Sequence, residues 1–102
     1  MSKITDNLDG LLAKGEDSAL LRFSLGSAYI DHDPAKAIEH LARAVELNPS
    51  YSAAWKLLGK AFSLSDRYDD ARQAYSSGIE TAEKCGDIQA AKEMRVFLNR
   101  IG

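Results

Sequence analysis

Trp55-Lys56-Leu57-Leu58-Gly59-Lys60-Ala61-Phe62, followed by Ala71 and Tyr75, sets large and small residues at helical spacing. An earlier stretch, Leu25-Gly26-Ser27-Ala28-Tyr29, repeats its centre; Ala37, Leu41 and Ala44 follow, and Pro49 closes the unit. Gly26 and Gly59 stand 33 residues apart, Ala37 and Ala71 stand 34 apart. A period in that range marks a stacked-repeat architecture, where each unit buries its apolar face only against its neighbour. Glycine within a helix costs about 1 kcal/mol relative to alanine. That cost makes sense if the missing side chain lets the next helix approach, with Ala37 and Ala71 small at the crossing and Tyr29 and Phe62 filling the volume beside it. Trp55, Leu58, Tyr75 and Ile79 would then join adjacent hairpins.

Working outward, Ile4, Leu8, Leu11 and Leu12 recur at helical spacing, so 3–14 reads as a short amphipathic helix that Gly15 ends in a left-handed cap. The next helix spans about 17–30, with Asp17 or Ser18 as N-cap. Asp33-Pro34 starts a third, the carboxylate capping and the proline occupying the first helical position; it runs to about Leu47, where Asn48-Pro49 stops it. Ser50 is placed to cap a helix over 51–64, Ser65-Asp66-Arg67 turns the chain, and a fifth helix covers 68–84. Gly86 breaks the chain again, and Asp87 caps a last helix over 88–101. Six helices joined by short turns predict an all-α fold of antiparallel hairpins, with no linker and no low-complexity segment.

The repeat pattern resembles the tetratricopeptide repeat, most strongly in its second copy, over about residues 19–85. That resemblance implies a short right-handed α-solenoid forming one domain over 1–102: a capping helix at 3–14, repeats at 19–51 and 52–85, and a capping helix at 87–101. Ala91, Met94, Phe97, Leu98 and Ile101 would cover the second repeat. The first copy carries Arg22 where the second has Trp55, and its turn is one residue shorter. The second copy has Gly78 where the first has Ala44, and Glu83 where the first has Pro49. These departures are expected to loosen details of packing without threatening the fold.

The resemblance also implies a concave groove lined by the first helix of each hairpin, taking an extended or helical peptide. Its positions are Leu20, Phe23, Ser27 and Ile30 in the first repeat, Ala53, Lys56, Lys60 and Ser63 in the second, and Ala90 and Met94 in the last helix. Lys56 and Lys60 lie one turn apart beside Phe23 and Ile30, which suits a peptide with an acidic residue beside an apolar anchor. Two such lysines are equally what a solvated helix face shows. A chaperone-tail clamp of Asn, Lys and Arg is disfavoured, because the aligned positions are Phe23, Ser27, Leu57, Asp87 and Ala91.

Composition limits the rivals. The chain has 102 residues, 13 basic and 15 acidic, for a net charge of −2, with no general attraction for a phosphate backbone. No nucleic-acid partner, cofactor or membrane insertion is expected, since no stretch approaches 18 consecutive apolar residues. Cys85 stands alone and suits a reducing compartment, with the cytoplasm as the default. His32 between Asp31 and Asp33, with His40 on the following helix, lacks a metal-ligand spacing, and turn and cap roles explain both aspartates. Cys85 near a helix C-terminus lacks the dipole that activates a thiol. No Ser/His/Asp set and no phosphate-cradling loop is present. The reading is therefore a non-catalytic, monomeric module binding an unidentified protein or peptide. The alternative is a self-assembly module that homodimerises through the last helix, and exposure of Phe97 or Leu98 would favour it.

Overall fold

The computed structural model describes the backbone of residues 3–102 and the side chains of 5–102, so the predicted contact of Ile4 lies outside the described residues. Six helices follow in order: α1 Lys3–Ala13, α2 Ala19–Tyr29, α3 Pro34–Leu47, α4 Ser52–Leu64, α5 Tyr68–Lys84 and α6 Ile88–Ile101. Among the described residues there is no strand.

Local chemistry explains most of the boundaries. Ser18, not Asp17, caps α2, its hydroxyl accepting the Leu21 N–H at 3.1 Å, which leaves the Asp17 carboxylate to Arg22 and Arg43. Asp33 and Asp87 cap α3 and α6 through the Lys36 and Ala90 amides. The expected Ser50 cap does not form. The Asn48 side chain instead accepts the Ser50 N–H at 3.1 Å, and Tyr51, the residue before α4, is held by stacking on Phe23 at 5.0 Å.

Three helices end in the same way, with a left-handed residue and a hydrogen bond reaching back five residues. Gly15 and Gly86 supply that conformation after α1 and α5, where Glu16 N donates to Leu11 O and Asp87 N to Ala82 O. After α4 it is Asp66, at φ 58°, with Arg67 N donating to Phe62 O at 2.9 Å. Aspartate tolerates this region better than most side chains, and here its carboxylate also accepts the Tyr68 hydroxyl at 2.9 Å.

The helices pair as hairpins α2–α3 and α4–α5, with α1 against α2 at one end and α6 against α5 at the other. One buried cluster centres on Leu25, Tyr29, Leu41 and Leu58; the other centres on Tyr75, Ile79, Ala91 and Met94; Trp55 and Phe62 pack against both. At the crossings, the glycines are where space is shortest. A Cβ on Gly26 would lie 2.6 Å from Leu41 Cδ2, and one on Gly59 would lie 2.5 Å from the Tyr75 ring. Gly78 corrects an expectation: it does not loosen the packing but admits Met94 Sδ and the Trp55 Cβ, which a Cβ there would meet at 2.5 and 2.7 Å.

The end helices cover the stack unevenly. Leu8 and Leu12 of α1 pack on the core while Leu11 is exposed, and the Tyr29 hydroxyl reaches Asp9 at 2.7 Å. In α6, Ala91 and Met94 are buried and Leu98 and Ile101 partly so, but Phe97 remains 37% exposed. Phe97 is thus only in part the covering residue its helical spacing suggested.

Candidate functional site

α4 touches both α2 and α6, whereas α3 and α5 do not touch among the described residues. A layer whose helices close up, opposite one whose helices splay, curves toward the closed side. The inward face therefore belongs to α2, α4 and α6.

Eight of the ten predicted groove residues keep some exposure. Leu20 is 66% exposed, Ser27, Ala53 and Lys60 are exposed, and Phe23, Lys56, Ser63 and Ala90 are half-buried. Ile30 and Met94 do not belong on this surface: they are 4% and 0% exposed. Ile30 ends α2 inside the first cluster, and Met94 fills the room that Gly78 leaves at the α5–α6 crossing. The family resemblance implied both positions but not how deeply a neighbour covers them.

The two lysines also separate. Lys56 Nζ donates to Glu93 Oε2 of α6 at 2.6 Å, while Gln89 reaches the other oxygen at 3.3 Å. The Lys56 ammonium, and then the Gln89 amide, hold the Glu93 carboxyl below the usual carboxylate range. Lys56 is thus already neutralised and ties α4 to α6. Lys60 has no carboxylate partner among the described residues.

Lys60 instead stands at the rim of a cleft of about 370 Å³ between the C-terminal ends of α4 and α6. Leu64, Tyr68, Tyr75, Phe97 and Ile101 form its apolar walls, and Ser63 and Arg100 complete the edge. Buried Tyr75 stacks on Phe97 at 5.8 Å, and the Arg100 guanidinium sits over Phe97 at 5.7 Å. Sequence reasoning found Lys60 and Ser63 but assigned Phe97 and Ile101 to the core. A signal existed: Phe97 and Ile101 are one turn apart, with basic Arg100 between them, at the end of a helix that no further hairpin follows within the described residues.

A separate polar cluster lies in the first hairpin. Arg22 donates to Asp17 at 2.8 Å and to His40 Nδ1 at 3.1 Å, so the imidazole proton resides on Nε2, which is buried with no acceptor among the described residues. His40 also stacks on Tyr29 at 5.7 Å. Burial first, and then the Arg22 charge, push the His40 pKa below its ordinary value, keeping the ring neutral. Among the described residues, no three His, Cys, Asp or Glu side chains gather as a metal-holding group, and no helix is long and apolar enough to cross a membrane.

Comparison with known proteins gives a consistent picture. The tetratricopeptide repeat profile matches residues 28–94. A TPR repeat-containing protein of Pseudomonas aeruginosa is 53% identical over 97 residues, which span 94% of this chain and 92% of that protein. A Bordetella parapertussis protein solved in solution superposes with a TM-score of 0.84 at 44% identity, covering 99% of this chain and 89% of the other. A tetratricopeptide repeat domain protein of Salinibacter ruber gives a TM-score of 0.76 at 28% identity, over 83% of this chain and 87% of the other.

Proposed function

The chain belongs to the tetratricopeptide repeat family, whose members are generally non-catalytic scaffolds for protein–protein interaction, and from that premise we propose that it binds a peptide or partner helix along the face of α2, α4 and α6. One observation carries the reading: this curved face keeps Leu20, Phe23, Ser27, Ala53 and Lys60 accessible across adjacent helices. Apolar side chains left at a solvent surface beside polar ones are what a helix-in-groove or extended-peptide contact uses. Binding at such a surface needs no bond-making chemistry, and Phe23 stacked on Tyr51 offers a preformed aromatic platform.

Affinity capture from native extract tests this, comparing wild type with a Phe23→Ala/Ser27→Arg/Ala53→Arg variant whose fold is verified by circular dichroism. A partner retained by wild type and lost by the variant supports the groove. A partner held equally by both rules it out in favour of the α3–α5 face or an end helix. Homodimerisation is the second reading, favoured by one feature: Ile88, Val96 and Phe97 of α6 are 64, 49 and 37% exposed. Light scattering over a concentration series separates it from the first.

A further inference from the structure

We infer that the cleft between the ends of α4 and α6 is an anchoring site for one large apolar side chain of a partner peptide whose neighbouring residues are acidic. The inference rests on the interaction role proposed above and supplies what that role lacks, the chemistry of the partner. Three observations combine. The cleft holds about 370 Å³ between apolar walls, and a cavity of about 150 Å³ suffices for a benzene ring. It therefore takes a phenylalanine or leucine side chain together with part of its backbone.

The rim is positive. Lys60 and Arg100 lie on opposite helices at its edge, and neither has a carboxylate partner among the described residues. The nearby basic residues are otherwise engaged: Arg67 pairs with Asp70 at 2.8 Å, Arg72 pairs with Asp69, and Lys56 pairs with Glu93. Asp66 accepts the hydroxyl of the lining Tyr68 and keeps its negative charge, but it does not itself line the cleft. The cleft's own lining thus carries a local positive charge, from Lys60 and Arg100, within a chain of net charge −2. It steers and orients carboxylates flanking an apolar anchor.

The same charges argue against a second copy as the occupant. A two-fold contact sets a patch against itself, so Lys60 and Arg100 would approach their own counterparts, and like charges across an interface oppose association. The Tyr75–Phe97 stack presents an aromatic surface to an entering ligand side chain.

The test uses three blocked ten-residue peptides in a nitrogen-15 NMR titration: a central Phe between two Glu pairs, the same peptide with Lys for Glu, and the same with Ala for Phe. The acidic Phe peptide is expected to shift the amide signals of Leu64, Tyr68, Phe97 and Arg100. Loss of the anchor should weaken binding about 30-fold. A Lys60→Glu/Arg100→Glu variant, both positions being on the surface, should retain its dispersed spectrum, weaken the acidic peptide about tenfold and prefer the lysine peptide. If the acidic peptide moves Phe23, Ser27 and Ala53 but not the cleft, the anchoring site is wrong while the groove reading stands. If it moves neither surface, the anchoring site is wrong, and the groove reading is decided by the affinity capture. Concentration-dependent dimerisation through Phe97 that the peptide does not compete away assigns the cleft to a second copy and overturns the proposal.

Discussion

At the crossing of α2 and α3, Gly26 leaves room for Leu41, whereas at the matching crossing of α4 and α5, Gly59 leaves room for the ring of Tyr75. The difference extends to the surroundings. The first hairpin carries Arg22, whose guanidinium reaches Asp17 and His40, where the second carries Trp55, packed on Gly78 and donating from Nε1 to Pro49 O at 2.9 Å. His40 itself corresponds to Ala74 of the second hairpin. One backbone arrangement is thus closed by a polar, ionisable seam in one unit and by an aromatic seam in the next. The motif specifies where volume must be filled and leaves open the chemistry that fills it.

Core truncation should show the largest effect. Leu41→Ala is expected to lose about 2–5 kcal/mol and Tyr75→Ala about 3–5 kcal/mol, out of a total of about 5–15 kcal/mol for a domain of this size. Urea denaturation of both variants measures this, and a negligible loss for Tyr75→Ala would break the comparison at its centre. Gly78→Ala comes next, with a net loss of up to about 2 kcal/mol. Helix propensity gains up to about 1 kcal/mol, but crowding costs about 1–3 kcal/mol because the Trp55 Cβ cannot rotate away. Gly10→Ala sharpens the point with the opposite sign: a Cβ there meets nothing within 4 Å, so thermal melts should show a gain of about 0.5–1 kcal/mol.

The smallest effect is a pH dependence confined to the polar seam. The folded-state pKa of His40 is below its ordinary value of 6.5, so the unfolded chain takes up a proton before the folded one does. The contribution of neutral His40 is complete above pH 6.5 and is lost as pH falls from there through the folded-state value. Asp17, held low by the Arg22 hydrogen bond and by Arg43, contributes above its ordinary 3.8 and loses that contribution only in a more acidic window. Denaturation midpoints of wild type and His40→Ala between pH 7 and pH 5 should therefore converge toward the acid side. An equal slope in both would remove His40 as the cause.

Legibility followed the range of the interactions. Asp33-Pro34, Asp87, Gly15 and Gly86 act within one turn of chain, and the structure places each as its chemistry requires. At Ser50 the boundary falls one residue later than its hydroxyl suggests: Tyr51 is the N-cap, without a side-chain cap, and stacks on Phe23 of α2. Asp66 was hidden as a left-handed residue because glycine is the usual signal for that conformation. On the candidate surface, the choice of helices is what the repeat implies, but Ile30 and Met94 are buried, Phe97 is exposed as the alternative reading allowed, and Arg100 lines the cleft without a sequence signal of its own. Each of those depends on how far a neighbouring helix extends over the position.

The sequence by itself determined the six helices, the pairing into hairpins and the stack, because repeat spacing and caps are properties of residues close along the chain. Only tertiary structure decided that Lys56 is paired with Glu93 while Lys60 has no carboxylate partner among the described residues, that Gly78 tightens the packing, and that the ends of α4 and α6 line an apolar cleft with Lys60 and Arg100 at its edge. Those outcomes are set by side chains far apart along the chain, 37 residues in the case of Lys56 and Glu93. No local pattern records which of several possible neighbours reaches such a side chain first.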